Sequence, residues 1–128
     1  MLFRSVLRLR LSVQHGCKFC NQGNRLSALE AGLSEAEIDA VFSDDTAALR
    51  PELRPVVALS DTLRLTNPDG TLSPDLHDAL SEFYAPDQII ELGMIGGILS
   101  GVAKFLFAFD LVEREATCPF PRRDKNSV

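Results

Sequence analysis

The segment "GCKFCNQGNR", residues 16 to 25, places two cysteines three positions apart in a chain of 128 residues that holds three in all. Such a pair supports three kinds of chemistry. Two thiols can close to a disulfide and be reopened by another thiol. Two thiolates supply half of a tetrahedral metal site. Two small, weakly polar side chains can also simply fill core. Gly16 breaks a preceding helix, so Cys17 is expected at or near the start of the next one, with Cys20 about one turn in and both sulfurs on one side. A helix start carries partial positive charge and unpaired N–H groups, and Lys18 adds a cation. Both favour thiolate over thiol. A thiolate attacks peroxide or disulfide, and the neighbouring thiol then closes the ring. A structural zinc wants four ligands. The remaining candidates, Cys118, His15 and His77, are scattered along the sequence, so no metal is expected. A thioredoxin-type pair would need a βαβ frame, and no such pattern surrounds this one. A redox pair is the preferred reading, with inert core thiols as the alternative.

Composition sets the frame for that chemistry. Apolar residues make up 45% of the chain and charged residues 24%, as in an ordinary globular protein. The net charge of -5 opposes a phosphate backbone, so no nucleic-acid partner is expected. An odd cysteine count with two of the three close together does not suit a secreted disulfide framework, and a reducing cytoplasm fits better. The N-terminal stretch carries Arg4, Arg8 and Arg10 without an acid, but these interrupt any apolar core of a targeting peptide. The stretch "IIELGMIGGILSGVAKFLFAF" is long enough to span a bilayer. It carries Glu91 and Lys104, each costly at membrane depth, so a helix buried on most sides within a soluble oligomer is expected, with no membrane partner.

The elements that must position the cysteines read as helices. Residues 6 to 13, "VLRLRLSV", alternate like a strand, yet Phe3, Val6, Leu7, Arg10, Leu11 and Gln14 share a helical side, and periodicity alone does not decide. "NRLSALEAG" ends in Gly32, a helix C-terminal glycine. In "SEAEIDAVF", Ser34 and Glu37 form a capping box, and Ile38, Val41 and Phe42 are expected to face inward. A helix is expected from about Pro51 to Leu65, and a short one in "SPDLHDALSEFY" with Ser73 as N-cap and Pro74 first. "APDQIIEL" opens the longest helix, in which Gly93, Gly97 and Gly101 fall four apart with Gly96 beside them. Glycines on one face let another helix approach closely, within the chain or across a subunit interface. The result is an all-α domain of five to six helices over residues 1–117, followed by a polar, fraying tail over 118–128.

Three stretches together carry a family resemblance: "VLRLRLSVQHGCKFCNQGNR", "AGLSEAEIDAVF" and "APDQIIELGMIGGILSGVAKFLFAF". They resemble the carboxymuconolactone decarboxylase-like family, in its branch with a cysteine pair, similar to the alkylhydroperoxidase D proteins. The resemblance covers roughly residues 4 to 113. It implies an all-α fold, a helix for "VLRLRLSV", and assembly as a trimer or hexamer. It implies thiol peroxidase-like activity without a cofactor, with Cys20 as the reactive sulfur, Cys17 as its disulfide partner and an external dithiol as reductant. Family members commonly have helices before the one that opens here. In the family a glutamate twelve positions before the first cysteine and a histidine four after the second relay protons. Here those positions hold Ser5 and Asn24, and Phe19 replaces a frequent tyrosine. A positioned base contributes about 10²- to 10⁴-fold in rate, so their absence predicts slow turnover. His15 is a substitute base or, preferably, a solvated histidine at a helix end. Arg25 is a holder of thiolate or anionic substrate or, preferably, a surface residue, and His77 beside Asp78 is read as surface.

Three functions follow. The first is a cysteine-pair oxidoreductase. The second is a non-catalytic or weakly active oligomeric relative that kept the fold and lost the relay. The third, least favoured, is a decarboxylase acting on a lactone acid, which would want an acid/base cluster that the sequence does not offer.

Overall fold

The computed structural model of the chain describes residues 2–120. Six α-helices make up the fold: α1 (Leu2–His15), α2 (Lys18–Glu30), α3 (Glu35–Phe42), α4 (Arg54–Leu63), α5 (Pro74–Ser81) and α6 (Pro86–Ala108). Two single 3-10 turns, Thr46–Ala48 and Pro51–Leu53, link α3 to α4. The expected helix from Pro51 is therefore split. Its first turn is 3-10, and the α-helix starts at Arg54 with Pro55 in its first turn, where a missing N–H costs nothing.

Helix α1 lies at the centre, against α2, α3, α4 and α6. Val6, Leu7, Leu9, Arg10, Leu11, Ser12 and His15 are all buried, so this helix is covered on most of its circumference. That explains the strand-like alternation of its sequence: Arg8 is exposed, while Arg10 is a buried polar residue on the core side. Arg10 donates to both carboxylate oxygens of Asp61 (2.9 and 3.1 Å), to Asp44 (3.2 Å) and to the carbonyls of Val41 and Ser43 (2.9 and 3.0 Å). Burial works against its charge, but Asp61 and Asp44 outweigh this and hold the guanidinium pKa above its ordinary value.

Local signals set the helix ends. Gly16 (φ +71°) and Gly32 (φ +104°) take left-handed conformations after α1 and α2. Ser34 and Glu37 form the expected capping box, and Arg50 clamps Glu37 with two 2.8 Å bonds. Ser73 caps α5 through the Leu76 N–H. Ile38 and Val41 face inward as expected, but Phe42 is exposed at the end of α3, where Arg25 lies over its ring.

Helix α6 departs from expectation. It buries one stripe, Ile89, Leu92, Gly96, Ser100, Ala103 and Phe107. Only 28% of its apolar window is covered, so within one chain it is not buried on most sides. A Cβ at Gly96 would run into Leu63, whereas one at Gly93, Gly97 or Gly101 would meet nothing within 4 Å. Gly96 therefore serves packing inside the chain, and the other three lie on an open face. Ile90, Met94, Ile98, Val102 and Phe105, with Phe109 just beyond, share that exterior and are between 45% and 67% exposed.

Candidate functional site

Gly16 and Cys17 alone link α1 to α2, and α2 runs back along α1, so that Asn24 donates to the carbonyl of Arg8 (3.3 Å). Cys17 is the N-cap of α2, with extended backbone, and its sulfur accepts the Cys20 N–H at 3.3 Å. Cys20 lies in the first turn. The two are joined as a disulfide with Cα atoms 5.3 Å apart, within the usual span of that bond. The expected placement at a helix start is thus met, and the structure shows the oxidised form. The two sulfurs differ in surroundings. Cys17 is buried, while Cys20 is half-buried. The helix-start N–H reaches Cys17, so the residue that receives the dipole's support is the shielded one.

A segment after α6 closes over Cys17. The chain turns at Asp110, the one described non-glycine residue at positive φ (+55°). It then pairs antiparallel with residues 16–18: Cys17 bridges Arg114, Lys18 N–H donates to Glu113 O (3.1 Å), and Glu115 N–H donates to Gly16 O (2.8 Å). Arg114 anchors this strap through Asp110 (3.0 Å) and the Phe107 carbonyl (2.7 Å). Cys118 Sγ donates to the carbonyl of His15 (3.1 Å), and Phe120 stacks on Phe107. Residues 118–120 of the expected fraying tail are therefore tied to the site; the rest of the tail, 121–128, lies outside the described residues. Cys118 and His15, scattered in sequence, converge beside the pair. His77 does not, standing exposed on α5 with Asp78 3.7 Å away.

His15 is not the solvated histidine the sequence suggested. It is buried, and its Nε2 accepts the Leu65 N–H at 3.0 Å. That bond fixes the neutral tautomer with the proton on Nδ1. Burial first, then the nearby Arg64 charge, pushes its pKa down to about 4. Its Nε2 lone pair is committed, so it cannot serve as a base through that atom. Arg25 is half-buried, pairs with Glu35 and Asp39 on α3 and does not line the cleft beside the sulfurs. Ser5 sits ten residues before His15 on α1, roughly 15 Å along the helix from the cysteine end. Of the supporting candidates, Asn24, one turn past Cys20, and His15 line the site, and Ser5 and Arg25 do not.

A narrow cleft of about 60 Å³ opens beside the pair. Cys17, Cys20 and Asn24 form one side, and Arg8, Leu11, Ser12 and His15 of α1 another. Leu99, Val102, Ala103 and Leu106 of α6 form an apolar wall, and the lining contains no carboxylate. Arg8 was not singled out in the sequence. Helical spacing back from His15 (15, 12, 11, 8) would have found it once α1 was known to be a helix.

This geometry defines a class: an all-α, AhpD-like fold carrying a closed Cys-x-x-Cys pair at a helix start. Among solved structures, one from Agrobacterium tumefaciens shares the fold, a protein of unknown function given a provisional description as the antioxidant defence protein AhpD. It superimposes with a TM-score of 0.73 at 18% sequence identity, over 85% of this chain and 75% of that one. Likeness at that identity speaks for the fold. No family model and no curated protein matches the sequence.

Proposed function

We propose that the chain is a dithiol–disulfide oxidoreductase of the alkylhydroperoxidase type, serving antioxidant defence in a reducing compartment. The observation that carries this reading is the asymmetry of the pair: both cysteines line the cleft, but Cys20 is half-buried while Cys17 is buried at the N-cap with an N–H on its sulfur. In the reduced chain the Cys20 thiolate attacks the outer oxygen of a hydroperoxide. The O–O bond breaks, an alcohol leaves after taking a proton, and Cys20 becomes a sulfenic acid. Cys17 attacks that sulfur, water departs, and the disulfide forms. An external dithiol then attacks the accessible Cys20 sulfur. Cys17 leaves as a thiolate favoured by its helix-start position, and the donor's second thiol completes the exchange.

The cleft offers little to assist the peroxide step. Ser5 is remote, Asn24 cannot take a proton at neutral pH, and the His15 Nε2 is occupied. Disulfide exchange needs less base assistance than peroxide cleavage, so turnover with disulfides is expected to exceed turnover with peroxides. The missing relay also favours the second reading, a weakly active family member acting mainly through assembly. A lactone decarboxylase is not supported by a cleft without a carboxylate. We also propose that the open face of α6 packs on further copies of the chain, as an apolar surface with three unobstructed glycines would allow.

Peroxide consumption with an excess of dithiothreitol tests the oxidoreductase reading. Cys20→Ser is expected to abolish it, whereas reduced Cys17→Ser given peroxide after removal of dithiothreitol is expected to stop after one equivalent with a sulfenic acid at Cys20 that dimedone traps. Unchanged turnover in Cys20→Ser would reject the reading.

A further inference from the structure

The third cysteine takes no part in the cycle above, yet it is built into the same site. Cys118 packs against the small apolar cluster formed by Cys17, Ala103 and Phe107, to which Cys20 also belongs. Its backbone touches Gly16: a Cβ there would lie 2.6 Å from both Cα and Cβ of Cys118. With one further Cα–Cα step of about 3.8 Å to Cys17, the two Cα atoms are no more than roughly 8 Å apart, so a closing movement of the strap of roughly 1 Å brings them within the span of a disulfide. The contact depends on glycine at position 16, and the strap's two backbone bonds to residues 16 and 18 hold it in register. The Cys118 sulfur receives the Phe120 N–H at 3.4 Å and donates to the carbonyl of His15 at 3.1 Å, which holds it beside the end of α1. Cys118 also lines a recess of its own, about 610 Å³ along residues 110–118, which shares no residue with the cleft at Cys20.

We propose that Cys118 is a third redox residue, which takes the disulfide over from Cys20 and carries it to the far side of the strap. The Cys118 thiolate attacks Cys17 Sγ. The Cys17–Cys118 bond forms as the Cys17–Cys20 bond breaks, and the electron pair leaves on Cys20, which takes up the proton that Cys118 gave to solvent. One disulfide is spent and one is made, so no outside oxidant is needed. Cys20 returns as a thiol in the cleft, while the oxidised bond faces the second recess. An external dithiol entering there attacks Cys118 and releases Cys17. On this route, which adds to direct attack at Cys20, oxidant and reductant use separate entrances. This inference rests on the proposed function only in requiring that Cys17 and Cys20 form a disulfide in use.

The test is disulfide mapping of the full chain after one equivalent of diamide, with acid quench, alkylation and peptide mass spectrometry. In the unmutated protein the Cys17–Cys118 peptide pair is expected beside Cys17–Cys20, with matching alkylation of Cys20. In Cys20→Ser it is expected to be the main intramolecular product, and Cys118→Ser is expected to remove it and leave Cys17–Cys20 alone. Closure of Cys17–Cys20 with no Cys17–Cys118 pair in the unmutated chain, and both sulfurs free in Cys20→Ser, overturns this inference and leaves the proposed function standing. Failure of the unmutated chain to close Cys17–Cys20 overturns both. The measurement on the unmutated chain decides even if a variant fails to fold.

Discussion

Cys17 and Cys20 differ by one helical turn but not by chance of exposure alone: the N-cap position gives one sulfur a hydrogen-bond donor, and the strap shields that same sulfur. Alkylation of the reduced protein is therefore expected to label Cys20 at least about tenfold faster than Cys17, since access as well as thiolate fraction sets the rate. Faster labelling of Cys17 would reverse the assignment of roles. His15 supplies a second residue-scale prediction. Its pKa is near 4 in the folded chain and near 6.5 unfolded. Between those values the unfolded chain binds the extra proton, so stability is complete above about pH 6.5 and is lost as the pH falls through 4. The full loss is about 3 kcal/mol. Urea midpoints measured from pH 7 to 4 are expected to fall accordingly, and His15→Asn is expected to flatten that slope. Glu37, whose pKa is held down by its hydrogen bonds to Arg50 despite burial, loses its contribution in the more acidic range.

Helix α1 and helix α6 show where sequence reading succeeds and where it stops. The glycine breaks, the Ser34–Glu37 box and the Ser73–Pro74 start were legible because each is decided within about four residues. Arg10 was not recognised as a core residue, because its partners Asp44 and Asp61 lie 34 and 51 positions away. His15 was misread for the same reason: its partner is 50 positions along, and the strap that covers its neighbour is about 100 positions along. Removing the Arg10 network leaves buried carbonyls and a half-exposed carboxylate unpaired. Arg10→Ala is expected to cost about 3 kcal/mol in urea unfolding, the lower end for a broken buried pair because Asp61 is partly solvated. The glycines of α6 divide cleanly. Gly96→Ala must displace the end methyl of Leu63, which offsets part of the helix-propensity gain, whereas Gly97→Ala adds the full amount of about 1 kcal/mol and meets no neighbour within the chain.

At the scale of the whole molecule, the open apolar face of α6 carries the proposed contact between copies of the chain. Ile90, Met94, Ile98, Val102, Phe105 and Phe109 are exposed along it, the kind of apolar exterior that interaction surfaces present. The face is also long and apolar enough, with its helix, to meet the criteria for a membrane span by length and composition. Sedimentation separates these readings. The account expects a defined oligomer without detergent, and Ile98→Glu is expected to shift it toward monomer by at least about tenfold in dissociation constant while the far-UV spectrum stays helical. A chain that is monomeric at all concentrations would contradict it. The same face borders the cleft, since Val102 belongs to both. Assembly would therefore set how far the Cys20 entrance stays open, and peroxide turnover is expected to change in the monomeric variant.

The central claim is that the helix-start pair cycles between dithiol and disulfide through an accessible Cys20. Free thiols counted in the fully reduced protein before and after one equivalent of peroxide test it directly. The account predicts a loss of two thiols per chain, restored by dithiothreitol and absent in Cys20→Ser. A count that stays at three, or falls equally in Cys20→Ser, would contradict it.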